Sequence, residues 1–302
     1  MNRKHGSRFR RCWIMRIKSF AKINLGLEVV RKRGDKYHEI RTLFQTIDFY
    51  DSLHFRRTPH NKISLEGTDD TISWGEDNLI YKAASLLKQQ FNLTDGIEIQ
   101  VTKNIPAGKG LGGGSSNAAM TLYALNKIWE LHLEKSDMMD LGRNIGADVP
   151  YFFEGGLCLG LGRGDSIIPL AEHGVIHCLL VLPAISILTA SIYKRFRFSL
   201  TSNLKDSKII RFLGSRDFGL LENNLEETVF SLYPQLRTIK SHLQSQGSEL
   251  SLVSGTGSSV YGLFLNKEKA EEVFKALKKS NSVFLAETLS RERYVRYLSA
   301  GV

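Results

Sequence analysis

The chain has 302 residues, 42% of them hydrophobic and 24% charged, an ordinary globular composition with length for one or two domains. Its net charge of +10 is concentrated at the start: residues 1–18 hold seven Lys and Arg and no acid, leaving 34 basic against 31 acidic residues elsewhere. The near-neutral body argues against nucleic acid as a partner, and three cysteines without a C-x-x-C pair argue against a disulfide framework or a zinc site.

The basic prefix lacks an apolar run, so it is no secretory signal, and it is short for an organelle transit peptide. Residues 1–14 read as an extension outside the fold, with Met15-Arg16-Ile17-Lys18 an equally good start, and the chain reads as cytoplasmic. Residues 19–30 read as a strand carrying a lone lysine, Lys22, and 40–50 with 53–55 as its return. The charged turn between them leaves through Tyr37-His38. That pair is either ordinary turn structure or an aromatic face beside a two-nitrogen ring, able to stack on and hydrogen-bond a base.

A short strand at 63–66 leads to Glu76-Asp77-Asn78, an N-cap cluster for a helix over 79–91. Residues 96–103 alternate apolar Ile97, Ile99 and Val101 with polar neighbours, the period of a half-buried strand. The glycine-dense run 105–117 follows, and a helix over 116–130 follows that. Strand, glycine loop and helix start aim free backbone N–H groups and the positive end of a helix dipole at one spot, where an anion belongs. Lys109 precedes Gly110 rather than Ser or Thr, so a Walker A ending is absent. Gly108-x-Gly110-x-x-Gly113 matches the dinucleotide pattern, but four residues part it from the strand, and the region about 20 residues on, around Glu134, reads as helical.

Ser136 reads as the cap of a helix to residue 144, ended by Gly146-Ala147-Asp148-Val149-Pro150, where Asp148 could cap the next turn. Residues 155–164 are glycine-rich around a strand at 157–159. The stretch 175–190 is broken by His177, Pro183, Ser186 and Thr189, so no membrane span is expected. A domain boundary is placed at 170, giving domains 15–170 and 171–302. Beyond it the order is strand 175–182, short helix 189–196, polar connection 199–215, helices 225–232 and 234–246, strand 250–253, strand 260–265, helix 267–278 and strand 283–287. The loop 254–259 reads as a strand-to-strand turn in a small α+β sandwich.

Ile105 to Ala119 resembles the phosphate-binding motif of the GHMP small-molecule kinases. Residues 21–25 (AKINL), 34–38 (GDKYH), 76–79 (EDNL), 146–150 (GADVP) and 254–260 (SGTGSSV) are similar to the motifs of one branch, which phosphorylates a diphosphocytidyl-bearing methylerythritol. The six motifs run in order from Ser19 to about Phe264. The resemblance implies an α+β, two-domain GHMP kinase fold, with an N-terminal ribosomal-S5-domain-2-like domain and a C-terminal ferredoxin-like α/β sandwich. It implies ATP as co-substrate with Mg²⁺ and transfer to the 2-hydroxyl of the methylerythritol unit, while the metal's ligands stay open.

By the same resemblance Lys22 and Asp148 are the catalytic pair, and Asn24, Tyr37, His38 and Tyr193 hold the substrate, the tyrosines and the histidine around the cytosine. The ATP loop comprises Pro106, Ala107, Gly108, Lys109, Gly110, Leu111, Gly112, Gly113, Gly114, Ser115 and Ser116. Physical chemistry agrees with those roles: phosphoryl transfer is mostly positioning and electrostatics, with a carboxylate to take the hydroxyl proton and cations to meet the developing charge. The chain departs from the family's pattern at Lys36, commonly Gly, and at Lys109, often a small residue, which either reaches a phosphate or points to solvent. A GHMP kinase for homoserine or mevalonate would keep the loop but lack the Tyr37-His38 pair, which is the discriminator. A nucleic-acid-binding protein would instead bind through a basic body that this chain lacks.

Overall fold

The computed structural model describes residues 14–35, 37–172, 174–197, 207–278 and 282–300; Lys36 and residues 1–13 of the basic extension lie outside them. Ile14 already pairs with Arg56, so the first strand starts one residue inside the expected extension.

Two long strands, β1 (Ile14–Lys32) and β2 (His38–Thr58), form an antiparallel ribbon along their whole length. One margin of β2 pairs through Ser52–Thr58 with β4 (Gly96–Thr102), which also takes β3 (Ile63–Gly67) in parallel. Its first half pairs through Thr42–Gln45 with β5 (Leu157–Leu161), which carries the short β6 (Ser166–Pro169). Three helices belong to this part: α1 (Leu79–Gln90), α2 (Gly113–Ile128) and α3 (Lys135–Ile145). Asn78 caps α1, its side chain accepting the N–H of Ile80 at 3.0 Å. The cap of α3 is Glu134 rather than Ser136: the Asp137 carboxylate reaches back to the Glu134 N–H at 3.0 Å, so the helix starts two residues earlier.

A second sheet contains β7 (His177–Val181), β8 (Leu250–Val253), β9 (Val260–Phe264) and β10 (Val283–Glu287) in the antiparallel order β10-β7-β9-β8. With α6 (Glu226–Leu232) and α7 (Pro234–Ser245) before β8 and α8 (Lys267–Leu277) before β10, this is the ferredoxin-like arrangement. Short α4 (Thr189–Arg195) and α5 (Lys208–Ser215) precede α6. The stretch expected as a polar connection thus contains α5, because Ile209 and Phe212 fall three apart on a buried face between basic residues.

The two sheets share a core. Ala21, Ile23 and Leu25 of β1 pack in one cluster with Cys178, Leu180, Tyr261 and Leu263 of the second sheet. Strand alternation therefore throws Lys22 and Asn24 together onto the other face of β1. The last helix, α9 (Arg291–Ala300), returns to the first sheet, where Tyr294 and Leu298 pack with Phe20, Phe152 and Phe153. Its Tyr294 hydroxyl donates to the Phe152 carbonyl at 2.5 Å, and Arg291 pairs with Glu154 at 3.0 Å. Cys158 and Cys178 are free and buried, and burial pushes the Cys158 thiol up to about 12. No helix among the described residues is long and apolar enough to cross a membrane.

Candidate active site

The shared face of β1 sets the centre of the site. Lys22 Nζ donates to Asn24 Oδ1 at 2.6 Å and lies 3.4 Å from Asp148 Oδ2, the carboxylate of the turn between α3 and the 3₁₀ turn Pro150–Phe153. The lysine side chain is 4% exposed and the aspartate 33%, so the pair is reached from the aspartate's side. Asn24 is itself fixed: its side-chain amide donates to Thr42 Oγ1 at 2.8 Å, and its backbone carbonyl accepts the Tyr261 hydroxyl at 2.8 Å. A buried ammonium held by one amide oxygen, one carboxylate and the Phe44 ring 5.2 Å away has little freedom to relax.

The Lys22 N–H donates to the Leu111 carbonyl at 3.0 Å, which ties the glycine loop to the same strand. Gly108, Gly110 and Gly112 have φ of 68°, 74° and 69°, the left-handed region that a side chain makes costly. Gly113 and Gly114, expected in the loop, form the first turn of α2 instead, so their N–H groups are among those left free at a helix start. Pro106 is half-buried, while Ala107, Gly108 and Gly114 are exposed along the loop, and Ser115 is half-exposed. Leu111 is in the core, leaving only its backbone to the loop. Ser116 is buried and accepts the Ser19 hydroxyl at 2.7 Å, so it fastens α2 to β1. Lys109 is buried as well. Its amine donates to the Pro183 carbonyl at 2.7 Å and to that of Ile185, so its position is not the solvated one.

Two features went unread in the sequence. Asp51, in the second half of β2, is fully buried and accepts from the N–H groups of Asn104 and Ile105, both at 2.8 Å, from Asn117 Nδ2 at 3.0 Å and from Lys103 Nζ at 2.6 Å. It thereby pins both ends of the glycine loop. Replacing Asp51 by Ala leaves the Lys103 charge buried without its partner, and an equilibrium urea titration should lose about 3–5 kcal/mol. The second is the 254–259 loop, which joins β8 and β9 as expected but also frames the site. Ser254 Oγ donates to the Gly110 carbonyl at 2.8 Å, and the Ser259 N–H to the Lys109 carbonyl at 3.2 Å. A Cβ on Gly255 would lie 3.2 Å from Asn24 Oδ1 and 3.9 Å from Lys22 Nζ.

The aromatic residues gather near Asp148. Tyr37 is 54% exposed, with the Arg163 guanidinium 5.0 Å from its ring centre. His38 stacks on Tyr193 of α4 at 5.0 Å and 27°. Tyr193 is near enough to Asp148 that the carboxylate adds to the upward push that burial gives its phenol, whereas burial and then Lys32 push the His38 imidazole down. At 5.0 Å the His38 and Tyr193 rings touch, so a third ring does not fit between them in this arrangement; a base would part them or lie against Tyr37. Lys22, Asn24, Asp148, His38 and Tyr193 are brought to one place, with Tyr37 at its rim. Among the described residues no group of three or more His, Cys, Asp or Glu side chains is arranged to hold a metal ion.

Comparison with known proteins gives a consistent result. Residues 78–156 match the family model for the GHMP kinases N terminal domain, and residues 209–283 that for GHMP kinases C terminal. The chain is 36% identical over 266 residues to a 4-diphosphocytidyl-2-C-methyl-D-erythritol kinase of Shouchella clausii, covering 87% of this chain and 90% of that one. It is 39% identical to the protein of the same name from Thermodesulfovibrio yellowstonii, covering 85% and 92%. A crystal structure of a 4-(cytidine 5'-diphospho)-2C-methyl-D-erythritol kinase superposes with a TM-score of 0.77 at 30% identity, over 91% of this chain and 99% of that one. A homoserine kinase from Cytophaga hutchinsonii superposes with a TM-score of 0.74 over 96% and 98%, but at 16% identity it speaks only for the fold.

Proposed function

Since the chain belongs to the GHMP kinases and, within them, to the 4-diphosphocytidyl-2-C-methyl-D-erythritol kinases, we propose that Lys22 and Asp148 carry ATP-dependent phosphorylation of the 2-hydroxyl of that substrate. The reaction belongs to non-mevalonate isoprenoid precursor biosynthesis. The observation that carries the proposal is the Lys22–Asn24–Asp148 constellation beside the glycine loop, tied to it through Leu111.

The acceptor hydroxyl oxygen attacks the γ-phosphorus of ATP, the bond to the β–γ bridging oxygen breaks, and ADP leaves. Asp148 takes the hydroxyl proton, its one-third exposure leaving room for a substrate oxygen beside it. Lys22, aimed by Asn24, meets the negative charge that builds between acceptor and phosphoryl group. The free N–H groups from Gly110 into the first turn of α2 receive the triphosphate. Mg²⁺ suits this arrangement because it binds mainly through phosphate oxygens with few protein ligands, and the half-exposed Ser115 hydroxyl and the Asp148 carboxylate are the oxygen donors the chain offers. When bound, the ion neutralises part of the triphosphate charge.

Tyr37, His38 and Tyr193 form the cytidine side of the site; residues 15–170 act as the nucleotide-loop domain and 171–302 as the cap, except that α9, expected in the second domain, packs in the core of the first. Buried free thiols and ATP as co-substrate are consistent with a cytoplasmic enzyme. A coupled ADP-release assay should show turnover with 4-diphosphocytidyl-2-C-methyl-D-erythritol and none with homoserine or mevalonate; the reverse preference would sink the assignment. Tyr37→Ala removes an aromatic platform worth about 1–3 kcal/mol per base, so KM for the cytidine substrate should rise about 5- to 150-fold while KM for ATP stays put. His38→Ala should act in the same direction. Inhibition by free CMP reads the same pocket and should weaken in Tyr37→Ala.

A further inference from the structure

Lys109 stands out as a buried cation that forms no ion pair among the described residues. An ammonium has three donors. Two go to the carbonyls of Pro183 and Ile185, in the segment between β7 and α4, and the third has no acceptor among the described residues. Carbonyl dipoles offset only part of the cost of a buried charge, so the position favours an anion. The residue sits between two left-handed glycines, Gly108 and Gly110, in the loop assigned to the triphosphate, which makes a nucleotide phosphate the partner the fold brings nearest.

On its other side the lysine holds the segment that leads into α4. That helix carries Tyr193, stacked on His38 and within electrostatic reach of Asp148. The Ile185 carbonyl takes a second donor, the Ser258 hydroxyl of the 254–259 loop, so three segments meet at one oxygen. We propose that Lys109 couples the two substrate sites: a nucleotide phosphate completes its charge, and through Pro183 and Ile185 it fixes α4 and Tyr193 over the acceptor, so that each substrate tightens the other. The proposal rests on the kinase reading above and gives Lys109 a positioning role, since it acts on the acceptor through α4. Because such coupling is reciprocal, both directions must show the same factor.

The test is calorimetric titration of the full chain with the ATP analogue AMP-PNP and with 4-diphosphocytidyl-2-C-methyl-D-erythritol, each alone and each with the other saturating. In the parent, either ligand should lower the Kd of the other by about fivefold or more. In Lys109→Met the AMP-PNP Kd should weaken by about 30-fold, and the mutual tightening should vanish. Lys109→Arg keeps the cation but not the compact donor geometry, so nucleotide affinity should survive while the coupling factor falls; this variant decides the matter if the methionine variant does not fold. Parent-like AMP-PNP affinity in folded Lys109→Met, or undiminished coupling in Lys109→Arg, overturns the proposal. A parent that binds both ligands without tightening overturns it while leaving the kinase reading intact. A parent that binds neither overturns both.

Discussion

Asp148→Asn should lower kcat by about 10²- to 10⁴-fold, the span expected when a positioned general base is lost, while ADP binding stays within about twofold of the parent. The amide keeps the shape of the carboxylate but cannot take the hydroxyl proton. Lys22→Ala should produce a comparable loss for a different reason, since it removes the cation 3.4 Å from Asp148 and frees the Asn24 amide oxygen that received it. Because the two act as a unit, the double variant should be scarcely slower than the worse single one. Steady-state kinetics with calorimetric ADP titration separate chemistry from nucleotide binding. Near-parental kcat in Asp148→Asn would remove the carboxylate from the proton transfer.

The second large effect is expected at Gly110. A Cβ there would lie 2.0 Å from the Ser254 carbonyl oxygen, which is backbone and cannot swing aside, and the residue's φ of +74° adds strain for any side chain. Backbone strain of about 1–2 kcal/mol and overpacking of about 1–3 kcal/mol fall together on the seam between the glycine loop and the 254–259 loop. Gly110→Val should therefore weaken ATP binding by about 30-fold or more and lower the melting temperature, whereas Gly114→Ala, with 3.7 Å to the nearest atom, should leave both nearly unchanged. Equal ATP affinity in the two variants would place the triphosphate away from this loop. Gly112 and Gly113 behave differently from what phosphate access alone suggests. A Cβ on the first would strike Phe152 and Lys22, and on the second Ile105, so these glycines serve packing before they serve the ligand.

Part of the site was legible locally: a glycine cluster announced left-handed turns and a helix start. Lys22 and Asp148, a lone lysine in a strand and an acid after a glycine turn, are unremarkable one by one and were picked out only through the resemblance of their surrounding motifs to a known family. What escaped was whatever depends on distant partners. Asp51 reads as an ordinary acid of a strand, and its role comes from Lys103, Asn104, Ile105 and Asn117, which only the folded ribbon brings to it. Lys109 offered solvent or a phosphate as its alternatives in the sequence, because a backbone carbonyl 74 residues away leaves no local trace. The helices α5 and α9 were missed because their apolar residues are interleaved with Lys and Arg in short stretches, and the burial of Ile209, Phe212, Tyr294 and Leu298 shows only in the fold.

The return of α9 bears on how the protein is made. Tyr294 and Leu298 fill the same core as Phe20, and the Gln45 amide donates to the Leu289 carbonyl, so the first sheet closes around residues made after the whole of the ferredoxin-like half. Synthesis at about 5–20 residues per second leaves the N-terminal half waiting several seconds or more for its missing layer. During that wait the apolar surface that will receive α9, around Phe20, Phe152 and Phe153, is uncovered. The ferredoxin-like half, whose strands and helices all lie between residues 177 and 287, completes its own core before the older half can.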